Sequence, residues 1–195
     1  MEFEALGLNQ KTKGKLKMKM KILLYVVSLS CSTVWASEVN VIANSDFEKV
    51  NANNVIADWI STAKVEVLSE RVNGNKVLRV YATIKSSDNT YLGSVSQKLP
   101  DLTAGKYILS GEFKGDLSAL YLVVRNTSGF KFTKWIPANL FVKSEKEGWY
   151  IFSENLEVPS DVKDGQIFIE TYQKKEEGQY TDLNSIKLIK QEDKK

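Results

Sequence analysis

The chain has 195 residues, a formal net charge of +3, no histidine and one cysteine. This composition excludes a Ser-His-Asp triad, a zinc site of the Cys/His kind and a disulfide framework. The positive charge belongs to residues 1–36, which hold six lysines and two glutamates, whereas the remainder holds 21 basic and 22 acidic residues. A nearly neutral remainder argues against nucleic acid as a partner. No apolar run reaches the about 18 residues that a membrane-spanning helix needs.

The N-terminal 36 residues have the order of a secretory signal peptide. A lysine-rich segment, Lys11–Lys21, precedes the apolar run Ile22–Val27, and small and polar residues then lead to Ala36. This order predicts export to the periplasm or the extracellular space, with cleavage after Ala36.

Two features of this segment leave alternatives open. The initiator is Met1, Met18 or Met20, because the first 17 residues form a polar prefix that export does not need. Cys31 allows a lipid anchor as the minor alternative to a free secreted protein. It follows a small residue, but Ser28 stands where a lipoprotein signal has leucine.

From residue 37 onward, stretches rich in Val, Ile, Phe, Tyr and Thr alternate with clusters of Gly, Asn, Asp and Ser, without a sustained helical period. The pattern predicts one all-β domain over residues 37–190, a two-sheet antiparallel β-sandwich, followed by a charged tail at 191–195. The ten predicted strands are Glu38–Ala43, Ala63–Leu68, Val77–Ile84, Tyr91–Leu99, Lys106–Lys114, Ala119–Arg125, Phe130–Trp135, Trp149–Val158, Gln166–Tyr172 and Ser185–Lys190.

Alternation along three of these strands predicts which side chains face the core, because successive residues of a strand point to opposite sides of a sheet. The apolar sets predicted to be buried are Leu78, Val80, Ala82 and Ile84; Leu120, Leu122 and Val124; and Ile167 and Ile169. The opposite faces carry aromatic and charged residues, namely Arg79, Tyr81, Tyr121, Arg125, Glu170 and Tyr172.

Such a face suits a sugar, because an aromatic ring covers the C-H side of a pyranose while Arg and Glu form hydrogen bonds to hydroxyls. We therefore predict a glycan-binding groove on one sheet face. Its predicted residues are Arg79, Tyr81, Tyr121, Arg125, Glu170 and Tyr172, with Trp135 at the rim. The alternative interpretation is that these residues form cross-strand pairs that stabilise the sheet without a ligand.

Short motifs spread over residues 39–189 resemble the CenC-type carbohydrate-binding modules. The N-terminal motif Asn44–Glu48 followed by Asp58-Trp59 is similar to that family's Asn-Gly-Asp-Phe-Glu and Trp signature. The other similar segments are Val95–Leu99, Ala104–Ser110, Phe113-Lys114, Gly148-Trp149, Leu156–Pro159, Tyr180–Asp182 and Ile186–Leu188. The resemblance implies a jelly-roll fold of the galactose-binding-like group. It also implies that Trp59 and Trp149 pack in the core or beneath loops.

The resemblance further implies a structural calcium ion where the two end motifs meet, with Glu48 and Asp182 at the matching positions. The alternative is that Glu48 caps a turn and Asp182 ends a strand without an ion. Two departures from the family pattern stand out. Ser45 replaces the usual glycine, which disfavours positive φ at that position. The insertion Leu183–Ser185 predicts a β-bulge or a register shift.

The favoured function is a secreted, non-catalytic module that binds a polysaccharide or cell-surface glycan, with a separate catalytic subunit or protein partner as a further expectation. The first alternative is an envelope module of the same fold that binds a protein. The second is a small jelly-roll glycan hydrolase or lyase, which would draw on Glu112, Glu154, Glu170 and Tyr172.

Overall fold

The computed structural model describes residues 39–51, 56–85, 90–173 and 179–192. The predicted signal peptide, its cleavage point, Cys31 and the last three residues of the tail lie outside these ranges. The described residues form an antiparallel two-sheet β-sandwich, so the predicted fold class is confirmed. They include a single 3-10 turn, Ala138–Leu140, and none of their helices is long and apolar enough to cross a membrane.

Twelve strands are assigned within the described ranges. They are β1 (Ile60–Ser61), β2 (Val65–Val72), β3 (Asn75–Tyr81), β4 (Ile84–Lys85), β5 (Tyr91–Lys98), β6 (Gly105–Lys114), β7 (Ala119–Arg125), β8 (Lys131–Pro137), β9 (Val142–Lys143), β10 (Tyr150–Val158), β11 (Gln166–Gln173) and β12 (Tyr180–Lys190). The front sheet has the order β1-β5-β11-β7-β8, with β4 also paired to β5, and the back sheet has the order β2-β3-β12-β6-β10-β9.

The core lies between the two sheets and confirms most of the predicted inward sets. Leu78 and Val80 of the back sheet and Leu122, Ile167 and Ile169 of the front sheet are all fully buried. Trp59 and Trp149 are buried as well, as the resemblance implies. Because the inner face of the front sheet is fixed in this way, its alternate residues must point outward.

Several predicted strand boundaries are wrong. The predicted strand Ala63–Leu68 is observed as Val65–Val72. Glu38–Ala43 is not a strand over its described residues, since Asn40 forms only an isolated bridge to Ile189. The predicted strand Val77–Ile84 ends at Tyr81, and Ile84 belongs to β4 of the other sheet, where it is exposed rather than part of the core. The last strand begins at Tyr180 rather than Ser185.

The crossing from β3 to β4 brings the two sheets close together at Gly93 of β5. A Cβ on Gly93 would lie 2.9 Å from Val80 Cγ1 and 3.0 Å from the Tyr81 carbonyl oxygen. Glycine is therefore required there because the backbone of β3 approaches β5 too closely for a side chain.

The irregularity predicted at Leu183–Ser185 is confirmed. The register between β12 and β6 shifts between Asn184 and Lys187, and Ser185 takes a positive φ of 53°. The N-terminal turn places its positive φ values at Asn44 and Phe47, so Ser45 does not have to adopt one. The Asn44 side chain donates to the Lys49 and Ala57 carbonyl oxygens and accepts from the Lys49 N–H, which fixes this turn.

Candidate functional site

The outer face of the front sheet gathers five of the seven residues predicted to bind glycan. Cross-strand register places Tyr121 of β7 opposite Trp135 of β8 on one side and opposite Glu170 of β11 on the other. Arg125 lies further along β7 on the same face, and Tyr172 lies two residues beyond Glu170. Adjacent strands, not sequence proximity, bring these residues together.

Three aromatic rings of this face form one contact cluster, which we call the ring cluster: Tyr121, Trp135 and Tyr172. The ring centroids of Tyr121 and Trp135 are 5.8 Å apart, and those of Trp135 and Tyr172 are 4.9 Å apart with an interplanar angle of 61°. Trp135 and Tyr172 belong to strands on either side of β7, and Ala119 of β7 lies opposite Tyr172. The small Ala119 side chain lets the indole reach across β7. Half of the Trp135 surface remains exposed, at 50%.

Polar groups adjoin the ring cluster. The Tyr172 hydroxyl donates a hydrogen bond to Glu170 Oε2 at 3.0 Å. Burial raises the pKa of Tyr172 to about 12, and the hydrogen bond to Glu170 adds to this rise because phenolate would lie beside a carboxylate. Tyr172 is therefore a protonated donor at neutral pH and holds the Glu170 carboxylate in position. One flat, half-exposed indole thus lies near an oriented carboxylate.

Arg79 and Tyr81 do not lie on this face, so the prediction of a single groove with all seven residues is wrong. Both belong to β3, which pairs with β2 and β12 of the back sheet. Their side chains are on the outer side of the back sheet, because the alternate residues Leu78 and Val80 of the same strand fill the core. The two sheets of a sandwich have outer faces that point in opposite directions.

The polar residues of β3 and β12 are already engaged with one another. Arg79 Nε donates to Asp182 Oδ1 at 2.7 Å and Nη2 donates to Oδ2 at 3.0 Å, while the guanidinium lies 3.6 Å from the Tyr180 ring centroid. The hydrogen bond to Asp182 raises the pKa of Arg79 further above its ordinary value. Tyr81 donates to Glu66 Oε2 at 3.0 Å, which raises the pKa of Tyr81. For Arg79 and Tyr81, a role in stabilising the sheet therefore fits better than a role in ligand binding.

The two carboxylates expected at a calcium site are both engaged by arginine side chains. Asp182 is held by both nitrogens of the Arg79 fork, and Glu48 is held by two nitrogens of Arg71. An arginine on each carboxylate supplies the positive charge that calcium would supply, and it occupies the oxygen atoms that calcium needs as ligands.

The residues considered for catalysis are also divided between the sheets. Glu112 is on β6 and Glu154 is on β10 of the back sheet, whereas Glu170 and Tyr172 are on β11 of the front sheet. Glu112 accepts a hydrogen bond from Asn184 Nδ2 at 2.9 Å, and Glu154 forms a salt bridge with Lys134 Nζ at 3.1 Å. Glu112 and Glu154 are on adjacent strands, but Glu112 lies opposite Ile151, three residues from Glu154, so their side chains point to opposite faces of the back sheet.

The predicted glycan site did not include Phe168, Lys131 and Lys98, which the register places on the outer face of the front sheet. Phe168 lies between Gln166 and Glu170 on β11, and its ring centroid is 4.5 Å from the Arg125 guanidinium carbon. Lys131 lies opposite Arg125, and Lys98 lies opposite Gln166. Alternation indicates the outward positions of Lys131 and Phe168, because each lies an even number of residues from a predicted site residue of its own strand. That residue is Trp135 for Lys131 and Glu170 for Phe168.

No family model matches this chain, and no curated protein matches it. Solved structures do match. The carbohydrate-binding module TmCBM61, solved with β-1,4-galactotriose, is 16% identical with a TM-score of 0.52, over 78% of this chain and 99% of that chain. The Caldicellulosiruptor saccharolyticus module CBM27-1, solved with mannohexaose, is 15% identical with a TM-score of 0.50, over 73% of this chain and 94% of that chain.

An arabinose-bound α-L-arabinofuranosidase, MgGH51, matches with a TM-score of 0.56 and 15% identity over 78% of this chain, but only 26% of that chain is covered. The similarity therefore concerns one part of that enzyme. At these identities the comparisons establish the fold, a jelly-roll β-sandwich that this chain shares with carbohydrate-binding modules.

Proposed function

We propose that this chain is a secreted, non-catalytic carbohydrate-binding module, and that it binds a polysaccharide on the outer face of the front sheet. The observation that carries the proposal is the ring cluster. Three aromatic side chains from three adjacent strands meet on one sheet face, and the central one, Trp135, is half exposed.

The roles of the site residues follow from their chemistry. The exposed part of the Trp135 indole stacks on the C-H face of a sugar ring, and Tyr121 and Tyr172 hold the indole in place through ring contacts. Glu170 accepts hydrogen bonds from sugar hydroxyls while Tyr172 orients it, and Arg125 donates to ring or hydroxyl oxygens. Trp135 is therefore at the centre of the proposed site, whereas the sequence predicts it at the rim.

Two observations favour binding over catalysis. The only described carboxylate among the outward strand residues of the front sheet is Glu170, and a glycoside hydrolase of the usual kind needs two carboxylates beside one bond. The fold comparison adds support, because modules of this fold solved with β-1,4-galactotriose and with mannohexaose match along nearly their whole length.

Affinity electrophoresis tests the proposal. The protein from Ser37 onward is run in gels that contain galactan, mannan, xylan or a soluble glucan, with bovine serum albumin as the reference for mobility. Retardation by at least one neutral or charged polysaccharide is the expected result. A folded protein that is retarded by none of a broad glycan panel overturns the proposal, and release of reducing sugar would overturn its non-catalytic part.

A further inference from the structure

A row of cations crosses the outer face of the front sheet at the end away from the ring cluster. Register places Lys131 of β8 opposite Arg125 of β7, Arg125 opposite Gln166 of β11, and Gln166 opposite Lys98 of β5. We call Lys98, Arg125 and Lys131 the basic row. All three side chains are exposed. With strands about 4.8 Å apart, the row extends over about 14 Å.

The cations of the basic row form no salt bridge with a described residue. The same sandwich nevertheless forms ion pairs at Arg71, Arg79 and Lys134. Glu170 is the one acidic residue among the described outward strand positions of the front sheet, and it lies in the row of Tyr121 rather than in the basic row.

The local arrangement is electrostatically unfavourable without a ligand. Arg125 and Lys131 are directly opposite each other on adjacent strands, and like charges in that position destabilise a sheet. The Arg125 guanidinium packs against the Phe168 ring at 4.5 Å, which directs it toward β11 and the neighbouring register row of Phe168, on the side of the ring cluster. A ligand that carries negative charge along this row would remove the repulsion, whereas a neutral sugar would not.

The distance to the ring cluster fits a single oligosaccharide. Lys131 and Trp135 are four residues apart on β8, and both point outward, so they are separated by about 13 Å along the strand. A sugar stacked on Trp135 can therefore belong to the same chain as an acidic substituent at Arg125 and Lys131.

We propose that the polysaccharide bound by this face is anionic, and that carboxylate or sulfate groups on its sugars bind to the basic row. This inference rests on the proposed function, because it assigns the ligand class of the same site. The overall net charge of the protein does not enter this inference. The basis is three cations outside any described salt bridge, clustered on the same sheet face as the ring cluster and about 13 Å from it along the strands.

The test compares glycans that differ only in charge. Isothermal titration calorimetry measures binding to polygalacturonate and to its full methyl ester, which has the same backbone without the carboxylate charge. A second arm compares a sulfated galactan with its desulfated form. The arm with the larger difference identifies carboxylate or sulfate as the acidic group.

The expected result is tighter binding to at least one charged glycan than to its neutral partner, with an affinity that falls as the salt concentration rises from about 20 to about 300 mM. In the double variant Lys98→Gln/Lys131→Gln, we expect the affinity for the charged glycan to fall about fivefold, because two exposed charge contacts are lost. The control Lys106→Gln/Lys187→Gln removes the same charge from exposed positions of the back sheet and leaves the affinity unchanged.

The outcomes separate this inference from the proposed function. Equal, salt-independent binding to charged and neutral partners overturns the anionic ligand while the carbohydrate-binding function stands. An equal loss of affinity in both double variants also overturns it, because the effect would then come from overall charge. If the folded protein binds neither the four glycans nor any glycan of a wider panel, both proposals are overturned together.

Discussion

Replacing Trp135 by alanine removes the part of the ring cluster that is open to solvent. A buried aromatic side chain covers about 150–250 Å², so a Trp that is 50% exposed offers about 100 Å² to a ligand. If a sugar ring covers about 60 Å² of this, the contact contributes about 1.5 kcal/mol at about 25 cal/mol per Å². The expected result of Trp135→Ala is therefore a Kd about tenfold higher.

The same substitution also affects stability, so both quantities have to be measured. Loss of the contacts to Tyr121 and Tyr172 is expected to lower the free energy of unfolding by about 1–2 kcal/mol. Calorimetric titration with the polysaccharide that is retained in the gel assay gives the Kd, and urea unfolding gives the stability. Trp135→Phe keeps an aromatic face and should recover part of the affinity.

A matched control comes from the other sheet. Tyr180 is an aromatic residue that is 43% exposed on the outer face of the back sheet and contacts Arg79 and Tyr81. Tyr180→Ala should lower stability by a similar amount and leave the Kd unchanged. The reasoning is refuted if folded Trp135→Ala binds as tightly as the unmodified protein, or if Tyr180→Ala weakens binding as much.

Three further predictions concern the polar contacts. Asp182→Asn removes one partner of the largely buried ion pair and leaves the Arg79 charge without a carboxylate, so unfolding in urea should show a loss of about 2–3 kcal/mol with glycan affinity unchanged. A loss under about 0.5 kcal/mol would contradict the role of this pair. Because the pKa of Tyr172 is raised to about 12 in the folded protein, its contribution to stability is present below its ordinary pKa of about 10 and is lost as the pH rises toward 12. Stability should therefore fall more steeply between pH 10 and 12 in the unmodified protein than in Tyr172→Phe, and parallel curves would argue against this shift. Since Arg71 and Arg79 hold the two carboxylates of the expected calcium site, EDTA should leave the midpoint of thermal unfolding unchanged. A fall of several degrees that added calcium restores would mean that an ion is bound there.

Alternation in the sequence was sufficient to predict which face of a regular strand is buried. On β7 and β11 the apolar residues Leu122 and Ile169 are fully buried, so the outward positions of Tyr121, Glu170 and Tyr172 could be predicted. The physical reason is that a one-residue error would expose the whole apolar set, which makes the assignment of faces robust.

Alternation could not assign a strand to one of the two sheets. Arg79 and Tyr81 point outward as predicted, but from the back sheet, because β3 pairs with β12. This pairing joins residues far apart in the chain, such as Arg79 and Asp182, which are separated by 103 positions, and no local pattern indicates it. The periodicity also fails where a strand breaks, as at Ile84, which follows the crossing from one sheet to the other.

Nuclear magnetic resonance most directly tests whether a glycan binds at the ring cluster. In a titration of the ¹⁵N-labelled protein with an oligosaccharide of the retained polysaccharide, the indole N–H signal of Trp135 and the amide signals of β7, β8 and β11 should shift together. The signals of Arg79, Tyr180 and their neighbours on the back sheet should stay in place. Shifts that cluster on the back sheet, with Trp135 unaffected, would contradict binding on the front sheet.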